Sequence, residues 1–571
     1  METLYDKASL VLNPGVYDTG KVYVTKPFDG SGDLTFSRAS NATRVNSSGL
    51  VEKVRENLIL QSNTLSNASW IKTNLTITGG QTGYDGSSNG WLYTEGTFTG
   101  ALPDLFQSYS TSTNVETYSF YAKAGTKNWI IISIGLAGFT FVNLSDGSIG
   151  SSFGGNPLTV TTQSLGGGWY RVRAVSPTGS KNGLSIHLTT GDTITAYNGN
   201  GTGTIYIQNF QRETGDIATD YIATTSAAVS VGPVSGLPRL DYSGGASCPS
   251  LLLEPQRTNL VTYSEQINNA AWNSAGGTTT ANTAVSPSGY QDADTLTGVR
   301  FQSGFSSNTY TLSAFAKKVD GNGTFVLRFD VPSTYVAVFN LNNGTIVSTD
   351  AGYTSTITDY GNGWYRCTLT TPASTTISNV VLISANDGAS STYVWGAQLE
   401  AGAYATSYIP TLSSAVTRVA DGSGTSDTFG TTYTLDADFG LYWEGVINGN
   451  TAYPVFYSGG NYAAGADFRS YFVYTGAALQ LFGVGEVLTA QITIALTAGT
   501  NYKILVKRVG STIKWYVNGT EYANISGFTT TTVKIRSLFG TTLGAPNHES
   551  VKQALIFQTT ISDADAIALT A

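Results

Sequence analysis

Few residues in this chain could run a reaction. Two histidines, His187 and His548, and two cysteines, Cys248 and Cys367, are all that 571 residues offer of those types. Nucleophilic catalysis needs a base within hydrogen-bond reach of the nucleophile, and at neutral pH that base is most often histidine. His187 lies in Leu184-Ser185-Ile186-His187-Leu188, a strand-like stretch that predicts a structural or exposed imidazole. His548, in Ala545-Pro546-Asn547-His548-Glu549, reads as a loop residue. No Cys/His spacing suits zinc. Two distant cysteines exclude a disulfide framework and read as small buried apolar residues. A glycosidase needs only two carboxylates, and 38 acids do not exclude one by number. No pair stands out by context, however, and the expectation is a protein without enzymatic activity.

Binding chemistry is better supplied. A sugar's apolar face stacks on an exposed aromatic ring while neighbouring amides and carboxylates bond its hydroxyls. Trp169 and Trp364 recur at matching places in a duplicated pattern, which suggests packing rather than contact with a ligand. Aromatics without a counterpart in the duplication are the better candidates for carbohydrate binding: Trp129, Tyr457, Tyr462 and Tyr471. Nucleic acid is an unsuitable partner, because no Lys/Arg run could neutralise a phosphate backbone and the net charge is −8. No apolar stretch reaches the roughly 18 residues of a membrane helix. The start, METLYDKASLVLNPG, lacks the regions of a secretory signal, so the expectation is synthesis in a cytosol without export by that route.

The elements that must position these residues are strands. Charged residues make up 12% of the chain, against about 25% in an ordinary soluble protein, which leaves little material for surface helices. Thr, Val, Ile, Tyr and Phe suit pleated, half-buried surfaces, and Asn-Gly and Asp-Gly pairs supply turns. An internal duplication organises them. Asn57-Leu58-Ile59 through Trp70 matches Asn259-Leu260-Val261 through Trp272. Tyr118–Lys123 matches Leu312–Lys317, Val142–Ile149 matches Phe339–Ile346, and Gly168-Trp169-Tyr170-Arg171 matches Gly363-Trp364-Tyr365-Arg366. Ile205 through Ile222 matches Thr392 through Ile409, with Gln211, Glu213, Gly215, Ala218 and Thr219 answering Gln398, Glu400, Gly402, Ala405 and Thr406. Each copy has the size of one domain, and without crossover helices an antiparallel sandwich of jelly-roll type follows for each.

The predicted organisation is all-β and multidomain: an N-terminal attachment segment over 1–56, a jelly roll over 57–225, a connector over 226–258, a second jelly roll over 259–411, a linker over 412–430 and a third sandwich over 431–571. The third module's clearest piece is a hairpin, Asn501–Arg508 turning at Gly510-Ser511 into Thr512–Val517, with Ile513, Trp515 and Val517 on one face. Near the end, Ser562 is a plausible N-cap for one short helix.

Two segments resemble a pattern recurrent in structural proteins of tailed phages: Leu34-Thr35-Phe36-Ser37-Arg38-Ala39-Ser40-Asn41-Ala42-Thr43-Arg44-Val45 with Ser48–Glu52, and Leu237-Pro238-Arg239-Leu240-Asp241-Tyr242 with Cys248–Leu260. The repeats, through their GWYR blocks and Trp395-Gly396-Ala397-Gln398-Leu399-Glu400, resemble carbohydrate-binding-module-like jelly rolls. The last module, through Lys503–Gly519 and Ala554–Asp563, resembles a concanavalin A/laminin-G sandwich. The resemblance implies a virion protein, a head fibre, capsid decoration or tail-associated fibre. It would be anchored through residues 1–56, partnered by capsid or tail proteins and host-surface glycans, and assembled as a symmetric oligomer, a trimer favoured. Alternatives are a polysaccharide-degrading tailspike and a ligand-free capsid cement. No cofactor is implied beyond a structural Ca2+, for which Asp436, Asp438 and Asp467 are candidate ligands.

Overall fold

The computed structural model describes residues 4–135, 137–330, 334–373, 375, 377–384, 390–422, 428–435, 438–447, 453–457, 471–474, 478–483, 487–497, 499–526, 533–538 and 549–571. Among them, strands dominate, and the two α-helices are Leu4–Lys7 and Asp563–Thr570. The sheets are antiparallel. The protein is thus all-β, and the chain divides into two compact units: residues 54–231, and residues 1–53 together with 232–571.

Unit 54–231 is a two-sheet sandwich. One sheet orders Thr159–Gly166, Trp169–Ser176, Glu116–Ala124, Thr204–Thr214, Gly90–Glu95 and Leu75–Gln81. The other orders Ile149–Phe153, Gly138–Asn143, Trp129–Ile134, Lys181–Thr189, Asp104–Ser112 and Ile71–Thr73. Because side chains alternate across a strand, Tyr118, Phe120, Val172 and Ile207 of the first meet Leu105, Ile130, Ile132 and Ile186 of the second in a buried core. The odd-numbered partners in the second sheet's central strands therefore face outward. The unit's two ends are drawn together by a ribbon, Arg55–Asn57 against Val229–Val231.

The second sandwich, within the other unit, repeats this plan. Its strand Ala293–Ser303 serves both sheets: residues 294–297 pair with 391–394 and residues 298–303 with 379–384. The change of sheet falls at Gly298, whose φ of +88° is open to glycine at little cost. In unit 54–231 the matching path is broken into Gly90–Glu95 and Asp104–Ser112. The interruption holds Thr97–Ala101, paired with Tyr197–Asn200. Shared polar anchors show how deep the duplication runs. Buried Asn57 donates to the carbonyls of Phe210 and Ile222, and its Oδ1 accepts from Ile59 and Arg212. Asn259 does the same with Ala397, Ile409, Val261 and Leu399. Glu213 bonds Thr219 as Glu400 bonds Thr406. Trp70 and Trp272 each donate their indole N–H to a carbonyl nine residues earlier.

The third sandwich is assembled from three stretches of chain. One sheet orders Arg239–Asp241, Ser250–Leu253, Glu549–Phe557, Phe439–Ile447, Asn501–Val509, Thr512–Val517 and Thr520–Ser526, with Leu10–Leu12 also on Glu549–Phe557. In the other, Tyr17–Asp18, Lys21–Val22 and Leu34–Thr35 lead into Thr428–Leu435 and Val533–Leu538. Leu10, Leu12, Val22, Leu34, Phe36, Leu251 and Leu253 share one core with Leu441, Trp443, Ile504 and Trp515. The segment read as 1–56 therefore contributes strands to the third sandwich, and part of the stretch read as connector, 239–253, is also strand. Their strands are two to four residues long, too short for alternation to announce them, and Leu10–Leu12, Leu34–Thr35 and Ser250–Leu253 also take partners hundreds of residues away. The hairpin Asn501–Val509/Thr512–Val517 places Ile513, Trp515 and Val517 in the core as its pattern predicts. Ser562 Oγ accepts from the Asp565 N–H as an N-cap.

Below this sandwich's first strands lies a buried ionic node. Arg38 Nη1 donates to Asp421 Oδ1 at 2.8 Å. Arg239 contacts both Asp421 and Glu254, the latter at 2.8 Å. Arg418 reaches Glu254 at 3.3 Å and donates to the Pro255 carbonyl at 2.9 Å. All five side chains are inaccessible to solvent or nearly so. Three cations face two carboxylates, and Glu400 also acts electrostatically on Arg418. Arg38, Arg239 and Glu254 are three of the charged residues of the two motif segments described above, so those segments meet at this node. Arg418 and Asp421 come from the stretch read as a linker, whose residues 416–418 pair with 257–259.

Candidate functional site

The outward face of the second sheet of unit 54–231 brings together aromatic rings, hydroxyls and an imidazole beside a carboxylate. Register fixes its rows. Phe153, Phe139, Ser133, Ser185, Phe106 and Ile71 lie side by side across six strands. The next row runs Phe141, Ile131, His187, Asp104 and Thr73, and a third sets Asn143 and Thr189 on either side of Trp129. Phe139, Phe106 and Trp129 are half-buried, Phe153 is 44% exposed and Ile71 50% exposed, while Phe141 and Ile131 form the floor. Phe139, Phe141 and Phe153 pack as a three-ring cluster with centroids 5.3–6.2 Å apart.

Two glycines let rings lie against the sheet. A Cβ on Gly183 would overlap the Phe106 ring, and one on Gly150 would meet both the Trp129 indole and the Asp192 carboxylate. Asp192 in turn accepts from the Ser151 N–H at 2.9 Å, the Ser151 hydroxyl at 3.0 Å and the Thr193 N–H at 3.0 Å. Thr193 has φ +64°, a conformation that β-branched residues rarely adopt. The carboxylate so holds the loop after Thr189 beside Trp129.

At the centre, His187 Nδ1 stands 3.6 Å from Asp104 Oδ1, with both side chains partly open to solvent. Burial pushes the imidazole below its ordinary pKa, against the pull of Asp104. Burial likewise raises the Asp104 carboxyl, against His187 and a hydrogen bond with Ser185. A neutral imidazole beside a carboxylate offers one ring donor, one ring acceptor and two carboxylate oxygens, a set that complements hydroxyl groups.

Of the residues expected to bind sugar, Trp129 lies on this face. The backbone of Tyr457 ends the strand Tyr453–Tyr457 and that of Tyr471 begins Tyr471–Tyr474, two strands that pair with each other, but their side chains, and Tyr462 entirely, lie outside the described residues. Trp169 and Trp364 are buried. Asp438 is held by the Gly510 N–H at 2.7 Å and the Thr560 hydroxyl at 2.8 Å, bonds that lower its pKa; Asp436, Asp467 and His548 lie outside the described residues. Among the described residues no group of three or more His, Cys, Asp or Glu side chains is gathered as a metal cluster, and no ligation is built on the three aspartates. Cys367 is buried, as expected, with its thiol pushed up by burial, whereas Cys248 is exposed. Cys248 sits in the turn before Ser250–Leu253, where the strand's apolar run has not yet begun.

Sequence reasoning missed Phe106, Phe139, Phe141, Phe153, Asp104 and the pairing of His187. A signal for the phenylalanines exists in the duplication: where Phe139, Phe141 and Trp129 stand in one copy, the register places Val336, Val338 and Thr324 in the other.

No family model matches the chain, and no curated protein is a significant match. Solved structures similar to parts or most of it include a carbohydrate-binding module, CBM40, of a Ruminococcus gnavus sialidase bound to α2,3-sialyllactose. That match has 13% identity, covers 24% of this chain and 84% of that one, and has a TM-score of 0.21. Others are a Trypanosoma rangeli sialidase, at 10% identity over 94% of this chain and 97% of that one with TM-score 0.20, and truncated AlyQ with CBM32 and alginate lyase domains, at 9% identity over 86% and 97% with TM-score 0.17. At such identities and scores no activity or ligand transfers to this chain. The fold is that of a multidomain, antiparallel β-sandwich protein, and unit 54–231 carries an aromatic sheet face with hydroxyl-bonding groups.

Proposed function

We propose that this protein binds carbohydrate through the outward face of unit 54–231, without chemical turnover, and displays it on the surface of a tailed-phage particle. The observation that carries the binding reading is the row of accessible rings, Phe153, Phe139 and Phe106, flanking Ser133, Ser185 and the His187–Asp104 pair. Rings stack on the apolar faces of sugars, and the polar strip between them bonds hydroxyls. Support for the particle comes from the two phage-like segments, whose Arg38, Arg239 and Glu254 build the buried node. Capsid or tail proteins are the expected partners, and a symmetric oligomer, a trimer favoured, would make weak single-site affinity effective through multivalency.

The binding reading is tested by a glycan array probed with the full chain. Retention of some glycan by the wild type, at least tenfold weaker in Trp129→Thr/Phe139→Val at unchanged melting temperature, is expected; equal retention by the variant sinks it. Reducing-sugar release from a retained glycan would replace a binding protein with an enzyme. Labelled antibody decorating purified virions tests the location, and light scattering of the purified chain tests the oligomer.

A further inference from the structure

Charge and spacing on the same face say which glycans it takes. We infer that it accommodates a short, uncharged oligosaccharide lying across the strands, from the Phe139/Phe153 rings at one side to the Phe106 ring at the other, and rejects acidic sugars. The inference rests on the carbohydrate-binding reading.

The length follows from the sheet. Phe139 and Phe106 stand in the same row on strands three neighbours apart, a separation of about 14 Å at 4.8 Å per strand. One sugar ring cannot cover both platforms; a chain of several can. The row between them is polar and flat, with Ser133 and Ser185 in line and His187 and Asp104 alongside.

The charge follows from the inventory. Among the described residues of these six strands, no lysine or arginine side chain is presented on the outward face. Lys72 points to the other side of its strand and donates to the Ser66 and Asn67 carbonyls. Lys181, at the strand's far end, is buried and donates to the Asn114 and Gly179 carbonyls. Lys127, which precedes Trp129, is held by Glu95 at 3.3 Å and lies over the Tyr197 ring. What remains on the face is the Asp104 carboxylate, with Asp192 at its edge. An acidic sugar would bring its carboxylate towards these groups without a cation to receive it, and like charges in a partly desolvated site repel. The second sandwich differs at this point too: the register position of Ser133 is held there by Arg328, paired with Asp330 at 2.8 Å.

The experiment is a titration of the full chain with hexose oligosaccharides of one to six units, each neutral compound matched to a partner carrying one uronic or sialic acid. Expected are affinity that rises from one to about three units and neutral ligands bound at least tenfold more tightly than their acidic partners. Ser133→Arg should narrow that preference at least threefold; Phe106→Ala should flatten the dependence on length. Equal or tighter binding of acidic ligands, or no gain with length, overturns the inference and leaves carbohydrate binding standing. Failure of every saccharide to bind overturns both. Should Phe106→Ala not fold, Ser133→Arg, a change at a half-buried polar position, still decides the charge question.

Discussion

The two duplicated sandwiches keep the same skeleton and carry opposite faces. In unit 54–231 the outward sheet shows Trp129, Ser133, Phe139, Phe141, His187 and Asp104; the register of the second sandwich puts Thr324, Arg328, Val336, Val338, Ile383 and Val299 at those places. Gly150 and Gly183, which receive rings, are answered by Val347 and Asn379. The buried anchors do not share this difference. Asn57 and Asn259, Glu213 and Glu400, Trp70 and Trp272 make the same bonds in both copies. The anchors common to both therefore describe what holds the sandwich, and the divergent face is where the proposed binding role would set one copy apart.

A second divergence lies at one end of the core. Unit 54–231 buries an ion pair, Arg212 Nη2 to Glu116 Oε1 at 2.5 Å, with Tyr118 bonded to the carboxylate and the guanidinium 3.6 Å above the Tyr109 ring. The second sandwich fills the same places with Tyr310, Leu312 and Leu399. Arg212→Leu alone should cost about 3–5 kcal/mol, because it strands the Glu116 carboxylate. The triple change Glu116→Tyr/Tyr118→Leu/Arg212→Leu, which copies the second sandwich, should recover most of that loss. Chemical denaturation of both variants measures it, and a triple variant no better than the single one would show the two cores are not interchangeable. Next, Asn57→Ala and Asn259→Ala should each cost about 1–3 kcal/mol by leaving buried backbone groups unpaired. Unequal losses would mean the duplicated anchor has drifted in importance.

Smaller in energy but sharper for function, Trp129→Thr/Phe139→Val should weaken glycan binding tenfold or more, about 1.4 kcal/mol. Val336→Phe/Val338→Phe in the second sandwich should not confer binding, since it lacks the His187–Asp104 pair. The least effect belongs to pH. His187 titrates below its ordinary value in the fold because burial disfavours its charge. Its contribution to stability is therefore present above the unfolded-state pKa, about 6.5, and lost as pH falls below it. His187→Ile, the second sandwich's residue, should flatten the decline in melting temperature between pH 7 and pH 5.

Strand content and the duplication are readable from the sequence because alternation and repeated blocks are local. The surface placement of Trp129 is readable as well, since no aromatic answers it in the other copy. Asp104 and His187 are not, because nothing near either residue announces a partner 83 positions away in a neighbouring strand. Arg38 and Arg239 stand out as motif residues, yet their shared carboxylate, Asp421, lies in a stretch that reads as linker. Strands such as Leu10–Leu12 escape detection because three residues carry too little pattern.

The pairing of Leu10 with Ile556 has a consequence for how the chain comes into being. On a ribosome adding about 5–20 residues each second, the partner of that first strand emerges roughly half a minute to two minutes later. Unit 54–231 can complete itself in the interval, while the strand Leu10–Leu12 must wait for its partner. Its brevity is then protective, since a three-residue edge is a poor template for a stray neighbour.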